Sequence, residues 1–164
     1  MKVLLNTSHF VCKQLKFEQT IKKQNMIKRK ANAVWNGSVK EGQGQLTTQS
    51  KVLNDSGYSF NSRFGDAKNT NPEELIAASH AGCYAMALSL ILGEAGFTPD
   101  SLQVEAAVSM DADKLELTAS HLTLKAKIPN IDKDKFEECA KAAKENCPIT
   151  KVLNLEVTLE TELS

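Results

Sequence analysis

Between Glu74 and Glu94 the chain runs for 19 residues without a charge, and Cys83 sits near the middle of that run. A helix of this kind needs a partner on its apolar surface, so the rest of the chain has to be organised around it. Asn71 is a capping residue and Pro72 suits the first helical position, where no backbone N–H is required. Glu74, three residues after the cap, supplies the reciprocal arm of a capping box. Gly93 and Gly96 mark the end. The length alone would cross a bilayer. The dilution by Ala, Ser, Gly and His80, with no basic residue at either end, argues instead for a core helix of a soluble domain. The expected helix is buried on nearly all sides, with its small side chains letting a second helix approach as well as a sheet.

A chain of 164 residues with this apolar content is long enough for one domain with its own core. Its 20 basic residues balance its 20 acidic residues, which removes any electrostatic case for nucleic acid or an anionic membrane surface. Residues 1–25 carry five Lys and one Glu and lack both the apolar run and the cleavage site of a secretory signal. They read as an N-terminal extension before a natural start at Met26, absent from the mature protein if they are an organellar leader, with His9 and Cys12 as bystanders. The remaining cysteines, Cys83, Cys139 and Cys147, show neither Cys-x-x-Cys nor zinc-finger spacing. A reducing, cytoplasmic setting is expected, with cysteine chemistry rather than a disulfide scaffold.

Period-2 alternation and turn residues predict an N-terminal sheet. Its strands run from Ile27 to Trp35, from Val39 to Thr48 and from Tyr58 to Phe64, with Asn36-Gly37 as a two-residue hairpin and Gly42 and Gly44 suiting a bulge. After the central helix, Leu102 to Met110 and Leu115 to Ile128 form a second hairpin. A helix beginning at Asn130 or Asp132 runs to Pro148, and a final strand covers Leu153 to Leu163. The order βββ-α-ββ-α-β is that of an α+β domain spanning residues 26–164.

Cys139 lies among charged neighbours on a helix and reads as a packing residue. Cys147 differs, because Cys-Pro places a thiol at the start of a new helical turn, where free backbone N–H groups lower a thiol pKa. Arg63 and Glu73 flank the loop that leads into the central helix. Glu73 and Cys83 are ten residues apart, about 15 Å along a helix, so they do not meet within one chain. Two copies packed antiparallel about a two-fold axis would bring the start of one helix to the middle of the other. His80, three residues before Cys83, is either a base for the thiol or a core histidine satisfied by neighbours. A metal site from His80, Cys83 and Cys147 lacks a fourth ligand.

At these residues the sequence resembles the OsmC/Ohr family of osmotically inducible and organic hydroperoxide resistance proteins, and the OsmC branch most. The matching stretches include Ala33-Val34-Trp35-Asn36-Gly37, Phe60-Asn61-Ser62-Arg63-Phe64, Thr70-Asn71-Pro72-Glu73-Glu74-Leu75-Ile76, His80-Ala81-Gly82-Cys83 and Asn146-Cys147-Pro148. The resemblance implies an OsmC-like α+β fold in an intertwined homodimer. It implies a thiol-dependent peroxidase that reduces organic hydroperoxides, and hydrogen peroxide less well, in oxidative or osmotic stress defence. Cys83 would then be the peroxidatic cysteine and Cys147 the resolving one, with Arg63 holding the thiolate and Glu73 orienting Arg63. No cofactor, metal, nucleic acid or membrane is implied, and turnover needs an external dithiol or lipoyl-type reductant. Residues 1–25 depart from the family pattern.

Two other readings compete. A non-catalytic dimer could sense oxidation or bind an apolar small molecule through the same pocket. A cysteine hydrolase using His80 would need an acid to orient the histidine, which the sequence does not supply.

Overall fold

Antiparallel pairing opens the computed structural model, which describes residues 26–164. The expectations placed on residues 1–25, His9 and Cys12 among them, lie outside the described residues. Strand β1 (Ala31–Asn36) pairs with β2 (Gln43–Thr48), and β2 pairs with β3 (Ser56–Ser59). The first connection is not the expected two-residue hairpin, because Asn36 pairs with Gln43 and residues 37–42 form the loop. Gly37 takes φ +92, a left-handed conformation that favours glycine, and its carbonyl accepts the Trp35 indole N–H at 3.1 Å. Gly42 closes a turn of its own by donating to the Ser38 carbonyl at 2.8 Å. A Cβ on Gly42 would collide with the Ser38 and Asn36 carbonyls, so this glycine serves the loop and not a bulge.

The third strand stops at Ser59, short of Phe64, and residues Phe60–Phe64 form the short helix α1. Ser59 and Ser62 cap it reciprocally: each hydroxyl accepts the other residue's backbone N–H, at 3.1 and 2.9 Å. Phe60 and Phe64, four residues apart, then stack with ring centroids 4.7 Å apart. The alternating pattern from Tyr58 to Phe64 fits a strand equally well, and the serine cap decides against it.

Helix α2 (Pro72–Glu94) is the uncharged run. Asn71 Oδ1 accepts the Glu74 N–H at 2.8 Å and Pro72 takes the first position, as expected. The capping box is only half made, since the Glu74 carboxylate accepts from the Thr70 hydroxyl at 3.3 Å instead of returning to Asn71. Gly93 does not end the helix. Ala95 is the C-cap, and Gly96 at φ +85 turns the chain away. His80, Tyr84, Leu88 and Leu92 recur every four residues as its one buried stripe. The expectation of burial on nearly all sides is corrected: on the opposite face Met86 is 76% and Leu90 64% exposed.

The second sheet orders β4 (Ser101–Asp111), β5 (Glu116–Lys127) and β6 (Glu156–Leu163) side by side. β4 and β5 are antiparallel, whereas β5 and β6 are parallel and need a crossover. That crossover is α3 (Lys133–Asn146), capped by Asp132, followed by the short helix α4 (Pro148–Val152). Because α4 extends to Val152, the last strand begins at Glu156 instead of Leu153. Leu122, Leu124, Ala126 and Ile128 point inward from β5 and its end, as their alternation predicts, and meet Phe136, Cys139, Ala140 and Ala143 of α3 with the buried stripe of α2. Each large side chain buried there contributes roughly 1.5–3 kcal/mol of transfer free energy. The architecture is α+β in the predicted order, with the short helices α1 and α4 added.

Every residue of β1 is exposed, Val34 and Trp35 included. One chain therefore leaves two apolar surfaces uncovered, one on β1 and one along α2.

Candidate active site

Cys83 lies one turn past His80 on α2, half-buried, and Cys147 is fully buried between α3 and α4. Folding brings Cys83 against the segment that carries Cys147, 64 positions on, so that Asn146 and Pro148, on either side of Cys147, line the same cleft as Cys83. Both thiols are free. Ile149, in the first turn of α4, brings its backbone beside the Cys83 sulfur, where its N–H favours the thiolate. Cys147 occupies the cap position before Pro148, but its side chain makes no capping bond, contrary to the expectation that the free N–H groups there serve Cys147.

Burial pushes the Cys83 thiol up from its ordinary value, the neighbouring Cys147 thiol adds to the rise, and the Ile149 backbone opposes it. Among the described residues of one chain no cation acts on Cys83 to offset the desolvation, and the balance favours the protonated thiol. Burial also pushes up the Tyr84 phenol, whose hydroxyl donates to the Ala140 carbonyl at 3.3 Å and ties α2 to α3.

Cys83 opens into a cleft of about 670 Å³ lined by Met86, Ala87, Leu90, Ile91, Asn146 and Pro148, with Glu94 at one side. Its floor is the exposed stripe of α2. An apolar, chain-like molecule would fit this lining better than a small polar one.

Arg63 and Glu73 form the second half of the constellation. Arg63 Nε lies 3.1 and 3.2 Å from the two Glu73 carboxylate oxygens, and its Nη2 lies 2.7 Å from one of them. Ser62, next to Arg63, donates to the Thr70 carbonyl at 2.9 Å, and the Asn71 amide donates to the Ser62 carbonyl at 3.1 Å. These bonds pin α1 to the start of α2, so the fork–carboxylate geometry follows from backbone placement. Arg63 Nη2 also donates to Met110 Sδ at 3.4 Å, and its guanidinium lies 5.3 Å from the Phe64 ring centroid. The pair stays at the N-terminal end of α2, about 15 Å of helix from Cys83. One chain brings together Cys83 with Cys147 and Arg63 with Glu73, and keeps the two pairs apart.

His80 is fully buried, with Nδ1 2.8 Å from the Ser120 hydroxyl and Nε2 2.9 Å from the Thr150 hydroxyl. It is the satisfied core histidine of the two readings, and burial holds its pKa below the ordinary imidazole value. With both nitrogens engaged by hydroxyls it offers no lone pair to a metal and no base to a substrate. Ser120 and Thr150 escaped the sequence reading because nothing in their spacing marks them. Cys139 is buried on α3, remote from the Cys83 cleft lining, and burial pushes its thiol up.

Residues 65–162 match the family model described as OsmC-like protein. The chain is 46% identical over 139 residues to peroxiredoxin OsmC of Escherichia coli, covering 84% of this chain and 97% of that protein. It is 31% identical over 121 residues to the organic hydroperoxide resistance protein OhrB of Bacillus subtilis, covering 73% of this chain and 88% of that one. The crystal structure of Bacillus subtilis OhrB superposes with a TM-score of 0.58 at 27% identity, over 81% of this chain and 98% of that one. An OsmC-like protein of unknown function from Vibrio cholerae shares the fold at a TM-score of 0.67 and 17% identity, over 84% of this chain and 100% of that one. With half the chain and more under the family model, and nearly the full length of a curated relative matched, the chain belongs to the OsmC-like family.

Proposed function

We propose that this protein is a thiol-dependent peroxidase that reduces organic hydroperoxides and acts in the cytoplasm against oxidative stress. The observation that carries the reading is the meeting of two free cysteines, Cys83 and Cys147, at the wall of one apolar cleft. The relatives named as a peroxiredoxin and as organic hydroperoxide resistance proteins support it.

Cys83, as thiolate, attacks a peroxide oxygen. An S–O bond forms as the O–O bond breaks, and the alkoxide takes a proton and leaves as the alcohol. Cys147 then attacks the Cys83 sulfenic acid. The S–S bond forms, the S–O bond breaks, and the departing hydroxide leaves as water with the Cys147 proton. Two electrons pass from two thiols to one hydroperoxide, and an external dithiol or lipoyl-type reductant restores the thiols by exchange.

The first step needs a thiolate, and the burial of Cys83 opposes one. The missing cation is Arg63 of a second copy. Met86 and Leu90 along α2 and Val34 and Trp35 on β1 supply apolar surface for a homodimer. An antiparallel pairing of two α2 helices carries one protomer's Arg63–Glu73 pair toward its partner's Cys83. Arg63 Nη1, free of the Glu73 contacts, would face thiolate and peroxide oxygen, with Glu73 holding the guanidinium plane.

Mixing the reduced protein with cumene hydroperoxide in single-turnover amounts tests the reading. Rapid consumption in the wild type and none in Cys83→Ser is the expected result. Equal consumption in both removes Cys83 from the chemistry and leaves a binding or sensing role.

A further inference from the structure

His80 and Cys83, one helical turn apart on α2, both face α4, the five-residue helix that follows Cys147. The His80 imidazole bonds the side-chain hydroxyl of Thr150, and Cys83 lines its cleft together with Pro148, with the Ile149 backbone beside its sulfur. So short a helix has little stability of its own, so its orientation depends on what anchors it. Leu153 closes it with a single N–H to the Ile149 carbonyl at 3.0 Å, and its cap residue contributes no side-chain bond.

The other side of His80 is anchored. Nδ1 meets the Ser120 hydroxyl on β5, a strand in the middle of its sheet, and both residues are fully buried. The imidazole therefore reaches from the central strand of the sheet, through α2, to the short helix α4. A hydroxyl on each side satisfies both ring nitrogens whichever tautomer is present, since each hydroxyl can donate or accept.

We propose that His80 is a positioning residue for the Cys83–Cys147 pair, holding α4 through Thr150 so that the start of α4, and Cys147 just before it, stays against Cys83. This rests on the peroxidase reading only for its consequence in turnover. The placement itself concerns the reduced protein. Releasing Thr150 frees α4 to rotate about the Cys147-Pro148 junction, which withdraws the Ile149 donor from Cys83 and takes Cys147 off line for the sulfenic acid. The thiolate loses a hydrogen bond that favours its charged form, and disulfide closure loses the preset geometry on which an intramolecular step depends.

The test reads Cys83 in the full-length reduced protein by the pH dependence of its alkylation with iodoacetamide, resolved by peptide mass spectrometry. Thr150→Val removes the hydroxyl at nearly constant volume, Thr150→Ala repeats the loss by a second route, and Thr150→Ser keeps the hydroxyl. Ile128→Val, in the core away from the cleft, lowers stability without touching α4. The expected result is a midpoint raised by about one pH unit in Thr150→Val and Thr150→Ala, consistent with loss of a hydrogen bond to a charged group. Thr150→Ser and Ile128→Val should keep the wild-type midpoint. In turnover, the Cys83 sulfenic acid trapped by dimedone should persist on the order of tenfold longer in Thr150→Val. A midpoint unmoved by loss of the hydroxyl, or moved equally by Ile128→Val, overturns the proposal. Alkylation involves no peroxide, so a wild type that fails to consume cumene hydroperoxide would defeat the peroxidase reading while the midpoints still decide the role of His80.

Discussion

Arg63 closes on Glu73 through its Nε and Nη2 edge, with the shortest contact at 2.7 Å, leaving Nη1 outside the pair. Both residues sit where α1 meets the start of α2, so the guanidinium is aimed before any substrate arrives. Among the described residues of the chain that carries it, the pair stays apart from the Cys83 cleft.

The proposed sharing of the site between protomers is tested by complementation. Arg63→Ala should lower the rate with cumene hydroperoxide on the order of 10²–10³-fold, as loss of a preorganised charge does. Cys83→Ser should be inactive. Co-refolding equal amounts of the two variants should restore about a quarter of wild-type activity, since half of the dimers are mixed and each holds one complete site. Recovery absent from the mixture would overturn the sharing of one site between Arg63 of one protomer and Cys83 of its partner.

The exposed stripe of α2 gives a prediction about assembly. Leu90→Glu, at a position 64% exposed, leaves the single-chain core untouched. Sedimentation should show monomers with wild-type far-UV circular dichroism, and peroxidase activity should fall with the dimer fraction. A charge buried at an interface without a partner is strongly unfavourable, which sets the direction.

Burial shifts Cys83 and His80 in opposite directions, and each shift predicts a pH profile. Burial raises the Cys83 pKa above its ordinary 9.0 in the single chain, so its charged form appears only as pH rises through that raised value. Arg63 of the partner should move the reactive midpoint down, and Arg63→Ala should move it back toward alkaline pH in a stopped-flow rate profile. His80 has a folded pKa below its ordinary 6.5. The unfolded chain therefore binds the proton first. The contribution of His80 to stability is complete above about pH 6.5 and is lost as pH falls from there through the folded value. Urea midpoints measured from pH 8 to pH 5 should decline over that window, and His80→Gln should flatten the decline.

Cys139 separates packing from chemistry. It is buried on α3 with Phe136 and Ala140, and Cys139→Ala should cost about 1 kcal/mol in stability while leaving the turnover rate unchanged. A loss of turnover matching that of Cys83→Ser would contradict its structural role.

The parts of this fold legible in the sequence are those whose signals are local. Asn71-Pro72 announces the start of α2, and the alternation of Leu122, Leu124, Ala126 and Ile128 sets β5 with its inward face. Phe136, Ala140 and Ala143 do the same for α3. Phe60–Phe64 was misread because period 2 and an i,i+4 aromatic pair coincide over five residues, and the Ser59–Ser62 cap is a weaker mark than the alternation. Asn36-Gly37 looks like a tight hairpin, but Gly42 and the Trp35 indole stabilise a longer loop.

In the site, the residue types at Cys83, Cys147, Arg63 and Glu73 were readable, and so was the separation that keeps Glu73 from Cys83 along one helix. The destination of the Ile149 N–H was not, because it depends on how α4 lies across α2. The Ser120–His80–Thr150 relay was hidden for the same reason: its members are 40 and 70 positions apart, and only packing brings them together.

The most direct measurement of the central claim is thiol stoichiometry with peptide mapping after one equivalent of cumene hydroperoxide is added to the reduced protein without external reductant. Two thiols lost per hydroperoxide consumed, recovered as a single Cys83–Cys147 disulfide, is the expected result. Hydroperoxide consumed with Cys83 and Cys147 both still alkylatable, or a disulfide that omits either, would contradict it.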